Sequence, residues 1–169
     1  MKAGYLIGAA VAGLLAFPVQ ALDVESYEGL VAKSLEAIKS EQVDVDALLQ
    51  YQDALIQLGV AGAQGYAKEQ PDFAPAMDFV AANTETMKSE NLESIEPAWH
   101  EGGALADAGI DTDALYNDDY ASIYMEAVIH PATAHIAARA YALTGDDDYL
   151  DVVEFELEEI VDHFEELED

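Results

Sequence analysis

The 169-residue chain contains no cysteine. This absence excludes disulfide bonds, thiolate metal sites, covalently attached c-type haem and catalysis by a cysteine nucleophile. It also excludes a lipid anchor on an N-terminal cysteine.

Basic residues are almost as scarce, with 6 lysines and arginines against 35 acidic residues and a formal net charge of -29. Such a charge repels nucleic acid and anionic membrane surfaces, and it favours cations, a basic protein partner or a salty medium. A halophilic-type surface explains the excess of acid better than a dedicated cation store does. Because 51% of the residues are hydrophobic, the chain is expected to fold rather than to remain disordered.

Strand patterns are also lacking, and apolar residues recur instead at helical spacing. The sequence predicts an all-α protein, an antiparallel helical bundle of four to five main helices. Helices are expected over residues 27–38, from Asp44 or Asp46 onward, from Pro75 through Met87, over 119–143 and from Asp146 to the end. Residues 91–118 are expected to form a less regular crossover with short helical turns at 104–108 and 113–116.

The N-terminus has the pattern of a secretory signal peptide over residues 1–21. Lys2 precedes an apolar run from Leu6 to Phe17, and small residues end at Ala21. The run is shorter than the ~20 residues that a membrane span requires. We therefore expect a periplasmic or secreted protein, with residues 22–169 forming one acidic domain and no membrane insertion after cleavage.

Gly59, Gly62 and Gly65 recur every third residue within a predicted helix. Each glycine costs a helix about 1 kcal/mol relative to alanine, so something must offset the cost. Close approach of another helix is favoured over a flat ligand lying on this face.

The segment from His130 to Arg139 combines Pro131 inside a helical pattern with two histidines and the only arginine of the chain. The proline would free the carbonyl of Ala127 from its helical bond. His130 and His135 are about 140° apart around a helix and do not share a face. Glu126 and His130, and likewise His135 and Arg139, have the i, i+4 spacing of neighbouring side chains.

A second segment, residues 96–103, places Trp99 and His100 beside a flexible Gly-Gly pair. One hypothesis joins the two segments. His100, Glu126 and His130 would form a metal site, and Trp99, His135 and Arg139 would bind a ligand.

Structural roles compete with this hypothesis. His130 would cap a helix, His135 would be a hydrogen-bonded core residue, Arg139 would pair with an acidic neighbour, and Trp99 would plug the end of the bundle. His163 is expected on a solvated face of the last helix.

These patterns favour an exported binding protein over an enzyme, and no catalytic residue is assigned. The protein would hold a small ligand or a divalent transition metal at the His/carboxylate site, with non-covalent haem less favoured. One alternative is an acidic module that docks a basic partner in the cell envelope. A metal-dependent enzyme built on the same histidines is another.

Overall fold

The computed structural model describes residues 22–166, the last of them as backbone only. Every regular element in this part of the chain is helical, which confirms the predicted all-α class. The predicted signal peptide lies outside the described residues. None of the described helices combines the length and apolar character needed to cross a bilayer.

The described chain contains four long helices, five short ones and one π-helical turn. They are α1 (Val24–Ile38), α2 (Val45–Glu69), α3 (Ala74–Ala82), α4 (Thr84–Ser89), α5 (Leu92–Ile95), the π-turn (Glu96–His100), α6 (Gly103–Asp107), α7 (Thr112–Tyr116), α8 (Asp119–Thr144) and α9 (Asp148–Glu166).

The crossover predicted over residues 91–118, which lies between α4 and α8, matches the prediction, since α6 and α7 fall at the expected short turns. The helix expected from Pro75 through Met87 is instead divided into α3 and α4 at Asn83. The Asn83 amide donates to the carbonyl oxygen of Phe79 at 2.8 Å. A side chain that bonds to its own backbone in this way competes with continued helix formation.

Aspartate side chains start several of the helices. Each accepts a hydrogen bond from a backbone N–H three residues later, which satisfies a donor that the helix leaves unpaired. The capping residues are Asp23, Asp44, Asp111 and Asp118. This supports capping over calcium binding as the role of the aspartate-rich turns that contain Asp111 and Asp118.

Helix α8 is the centre of the molecule. It packs against α2 on one side and α9 on another, while α1 contacts both α2 and α9. The short helices α3, α4, α5 and α7 and the π-turn also contact α8. Because α8 is covered from several directions, most of its residues from Ala121 to Ala138 are buried.

Pro131 lies inside α8, and the helix continues through it. Proline has no N–H, so the carbonyl of Ala127 loses its helical donor. The hydroxyl of Tyr27 replaces that donor at 2.8 Å. A Cβ atom at Gly59 would collide with the same carbonyl oxygen, so only glycine lets α2 approach here. The close helix approach predicted for Gly59 is confirmed.

Candidate metal centre

Three of the four histidines converge from three distant parts of the chain. His100 ends the π-turn, His130 lies in the middle of α8, and His163 lies near the end of α9. The ring centroids of His100 and His130 are 5.0 Å apart, and those of His130 and His163 are 5.8 Å apart. His130 is therefore the histidine common to both pairs.

Glu156 of α9 completes a first group with His100 and His130. One ligand atom from each residue lies within 4.8 Å of the others. The Glu156 Oε2 atom is 2.8 Å from His130 Nδ1 and 3.8 Å from His100 Nε2. His130 is 3% exposed and Glu156 is 6% exposed, so the group is buried. Two imidazoles and a carboxylate form a donor set that binds transition metals.

Glu126 of α8 completes a second group with His130 and His163, and its ligand atoms also lie within 4.8 Å of one another. Glu126 Oε2 is 2.7 Å from His163 Nδ1. Despite the short distance, the two atoms do not have hydrogen-bond geometry. His163 Nδ1 is therefore buried without a hydrogen-bond partner among the described residues. Two ligands of a tetrahedral zinc lie about 3.3 Å apart, so these two atoms would have to separate by about 0.6 Å to share an ion.

Side chains around the two groups hold their members in place. The Ser122 hydroxyl donates to Glu126 Oε1 at 3.0 Å, which leaves Oε2 directed to His163. Thr133 Oγ1 lies 2.8 Å from His100 Nε2. The Ser122 contact orients its ligand side chain as outer contacts do in metal sites. Thr133 instead contacts the same nitrogen of His100 that lies nearest Glu156, so an ion bound there would displace the threonine hydroxyl.

The π-turn that carries His100 depends on the glycines that follow it. Gly102 has a φ of 75°, in the left-handed region that favours glycine. A Cβ atom at Gly103 would lie 2.6 Å from the carbonyl oxygen of Pro97. The Tyr116 hydroxyl donates to the carbonyl oxygen of His100 at 3.0 Å. These contacts fold the turn back onto α8, and π-helical turns are frequent at functional sites.

Burial lowers the pKa of the His100 side chain, an effect opposed by the charge of Glu156 and reinforced by the nearby His130. A lowered pKa keeps the imidazole neutral at pH 7, which is the form that binds metals. The further charged groups that act on His100 are Glu96 and Glu159, both acidic. No lysine or arginine forms an ion pair with these carboxylates in the described part of the chain.

Of the predicted metal ligands, His100 and Glu126 each meet His130, but in different groups. The proposed set of three is thus spread over two groups that share one histidine. The two groups also contain Glu156 and His163, which the sequence hypothesis did not include.

The residues predicted to bind a ligand lie elsewhere. Trp99 is buried and stacks on Phe79 with a centroid distance of 5.7 Å. His135 Nδ1 is 3.5 Å from Asp53 Oδ1. Arg139 donates a hydrogen bond to the carbonyl oxygen of Lys88. His135 and Arg139 thus both lie near Lys88, whereas Trp99 packs against a different partner, and the ligand-binding role of the three stays a prediction.

A signal for Glu156 does exist in the sequence. Val153, Leu157 and Ile160 form the apolar stripe of α9, and Glu156 is three residues from the first and four from the last. A carboxylate beside a buried stripe must find a partner. His163, seven residues later, lies on the same side of the helix, so the pair could have been recognised together.

Comparisons of the chain with models of protein families, with curated proteins and with solved structures find no match in any of the three. The chemistry of five residues is therefore the basis for a function, and we call them the cluster: His100, Glu126, His130, Glu156 and His163.

Proposed function

We propose that this protein is an exported, non-catalytic binding protein that holds a divalent transition metal ion at His100, His130 and Glu156. The observation that carries the proposal is the convergence of two histidines and a buried carboxylate from three separate elements at one place. Surface acidic residues are scattered over the whole chain, but its few histidines are concentrated here.

The ligand types favour zinc or copper. Imidazole nitrogen suits Zn, Cu, Fe and Ni, whereas calcium and magnesium prefer sites made wholly of oxygen atoms. His100 and His130 supply two nitrogens, and Glu156 supplies one oxygen. Among the divalent ions of the first transition row, copper binds most tightly to a site of this kind.

Charge balance supports the same conclusion. A buried carboxylate is costly unless a cation or several donors compensate it. Glu156 is buried beside two imidazoles, and its ion-pair partners within 4 Å among the described residues are both histidines. A divalent ion would supply the positive charge, and the net charge of -29 would raise the local concentration of cations.

The scaffold suits a rigid binding site. We propose an antiparallel bundle based on the four long helices. His130 meets Glu156, whereas the earlier Glu126 meets the later His163, so α8 and α9 run in opposite directions. Sites on packed helices hold their ligands more firmly than sites on loops. The burial of His130 and Glu156 favours keeping an ion over presenting it to a substrate.

The test is zinc binding to the full chain, produced without an affinity tag, stripped with a chelator and dialysed against Zn(II) in a buffer containing glycine to compete for weak surface sites. We expect tight zinc binding, and a loss of at least tenfold in affinity in Glu156→Gln. Glu158→Gln removes the same charge at an exposed position of α9 and should bind zinc like the unmodified chain. Absence of tight binding, or equal affinity in the two variants, would refute the proposal.

A further inference from the structure

We propose that the cluster holds two transition-metal ions, with the imidazole of His130 bridging between them. This inference rests on the proposed function and extends it from one ion to a dinuclear centre. It starts from the observation that His130 belongs to two separate groups of three ligands.

The second group repeats the chemistry of the first. His100, His130 and Glu156 provide two imidazoles and a carboxylate, and so do His163, His130 and Glu126. Each group also has a carboxylate oxygen within 2.8 Å of an imidazole nitrogen. A donor set that binds one divalent transition metal is therefore present twice.

The ring of His130 has two nitrogen atoms, so it can bridge two ions. Its Nδ1 atom faces Glu156 at 2.8 Å. His100 and His163 both meet this ring edge-to-face, with centroid distances of 5.0 and 5.8 Å. In the proposed centre, Nδ1 binds the ion of the first group and Nε2 that of the second, which sets the two ions about 6 Å apart. Binding at both nitrogens displaces the ring proton to solvent and leaves an imidazolate bridge.

A second ion would also help to compensate the negative charge of the cluster. Glu126, Glu156 and Glu159 provide three carboxylates, the last with its Oε2 atom 3.9 Å from His130 Nδ1. One divalent ion supplies two positive charges and would leave one of these three carboxylates uncompensated. Glu96 adds a further acidic group near His100.

The two positions differ in their access to water. The side chains of His163 and Glu126 are 27% and 20% exposed, against 3% and 8% for His130 and Glu156. The second position is therefore expected to exchange its ion faster and to keep a coordination site open to water. The first position is expected to hold its ion more firmly.

The test measures Cu(II) bound to the full chain by equilibrium dialysis in glycine buffer, together with the electron paramagnetic resonance spectrum. We expect two copper ions per chain, with the signal of isolated Cu(II) strongly reduced because the bridge couples the two spins. His163→Ala should bind one ion and restore the isolated signal. His135→Ala changes a histidine of α8 outside the cluster and should keep two coupled ions.

Glu126→Gln provides a second variant that preserves side-chain size, and it should also reduce the stoichiometry from two to one. One copper in the unmodified chain, unchanged by His163→Ala, would overturn the dinuclear centre and leave the proposed function standing. No tight copper or zinc in the unmodified chain would overturn both. Two uncoupled ions, or loss of one ion in His135→Ala, would show that His130 is not the bridge.

Discussion

Helix α8 carries His130 and His135 five residues apart, and the two side chains meet different partners. His130 is surrounded by two other histidines and by glutamates. His135 is 3.5 Å from Asp53, and Lys88 donates to the same carboxylate oxygen at 3.0 Å. Each of the two histidines lies beside a carboxylate. Only the carboxylate beside His135, that of Asp53, also pairs with a lysine.

The difference shows how the protein uses its few basic residues. Lys88 and Arg139 both act on the surroundings of His135, so the charge there is neutralised by the chain itself. The cluster around His130 has no such side chain among its described ion pairs. A buried carboxylate without a lysine or arginine of its own can be compensated by a cation from outside, and we propose that this distinction separates a metal site from a structural ion pair.

The largest expected effect is stabilisation by zinc. An ion at 100 times its dissociation constant adds about 2.7 kcal/mol to the free energy of unfolding, which raises the melting temperature of a domain of this size by about 5–10 °C. His130→Ala should abolish this rise, whereas His135→Ala should retain it. The comparison uses thermal unfolding with and without Zn(II), and an equal rise in both variants would contradict it.

Giving the cluster a lysine should remove the difference between the two regions. In Glu159→Lys the new ammonium group beside His130 repels the ion and pairs with Glu156, so zinc affinity should fall by about tenfold or more, roughly 1.4 kcal/mol. Glu158→Lys makes the same charge change on the exposed face of α9. Zinc titrations of the two variants measure the effect, and similar affinities would mean that overall charge alone governs binding.

Removing the lysine from the other region should cost stability rather than zinc affinity. Lys88→Met leaves Asp53 and His135 without their ammonium partner, and we expect the free energy of unfolding to fall by about 0.5–1 kcal/mol because the pair is partly exposed. Lys33→Met, at an exposed position of α1, is the control. Urea unfolding without metal measures the free energy of unfolding of both variants. A change in zinc affinity for Lys88→Met would contradict the claim that the region around His135 is separate from the metal site.

The smallest expected effect is a pH dependence. Burial lowers the pKa of His135, opposed by Asp53 and reinforced by Lys88 and Arg139. The unfolded chain then binds a proton more readily than the folded one, so the stabilisation is full above the ordinary pKa of about 6.5 and is lost as the pH falls below it. Between pH 7.5 and 5.5, metal-free protein should lose more stability than His135→Gln does. The free energy of unfolding of both proteins is measured by urea unfolding at each pH. An equal dependence on pH in the two proteins would contradict this prediction.

The fold was largely predictable because its elements follow local rules. Apolar spacing marks the four long helices, and aspartates mark where α2, α7 and α8 begin. The role of Gly59 was also accessible, since a glycine inside a helix needs a reason. The break at Asn83 was missed because it depends on a side chain that bonds to its own helix rather than on a proline or glycine.

The site was only partly predictable. Glu126 and His130 are one helical turn apart, so spacing alone relates them. The approach of His100 depends on the folding back of the π-turn, and that of His163 depends on how α9 pairs with α8. Such contacts between distant parts of the chain leave no local pattern. Trp99 and Arg139 attracted attention because they are unique in the sequence, but rarity does not determine where a side chain lies.

The most direct test of the account is nuclear magnetic resonance of the four histidine rings, using long-range nitrogen–proton correlations of the full chain before and after addition of Zn(II). We predict that the ring nitrogens of His100, His130 and His163 shift as zinc binds, while those of His135 stay where they were. Shifts at His135 without shifts at His130, or no shift at any ring, would contradict the claim that the cluster around His130 is the metal site.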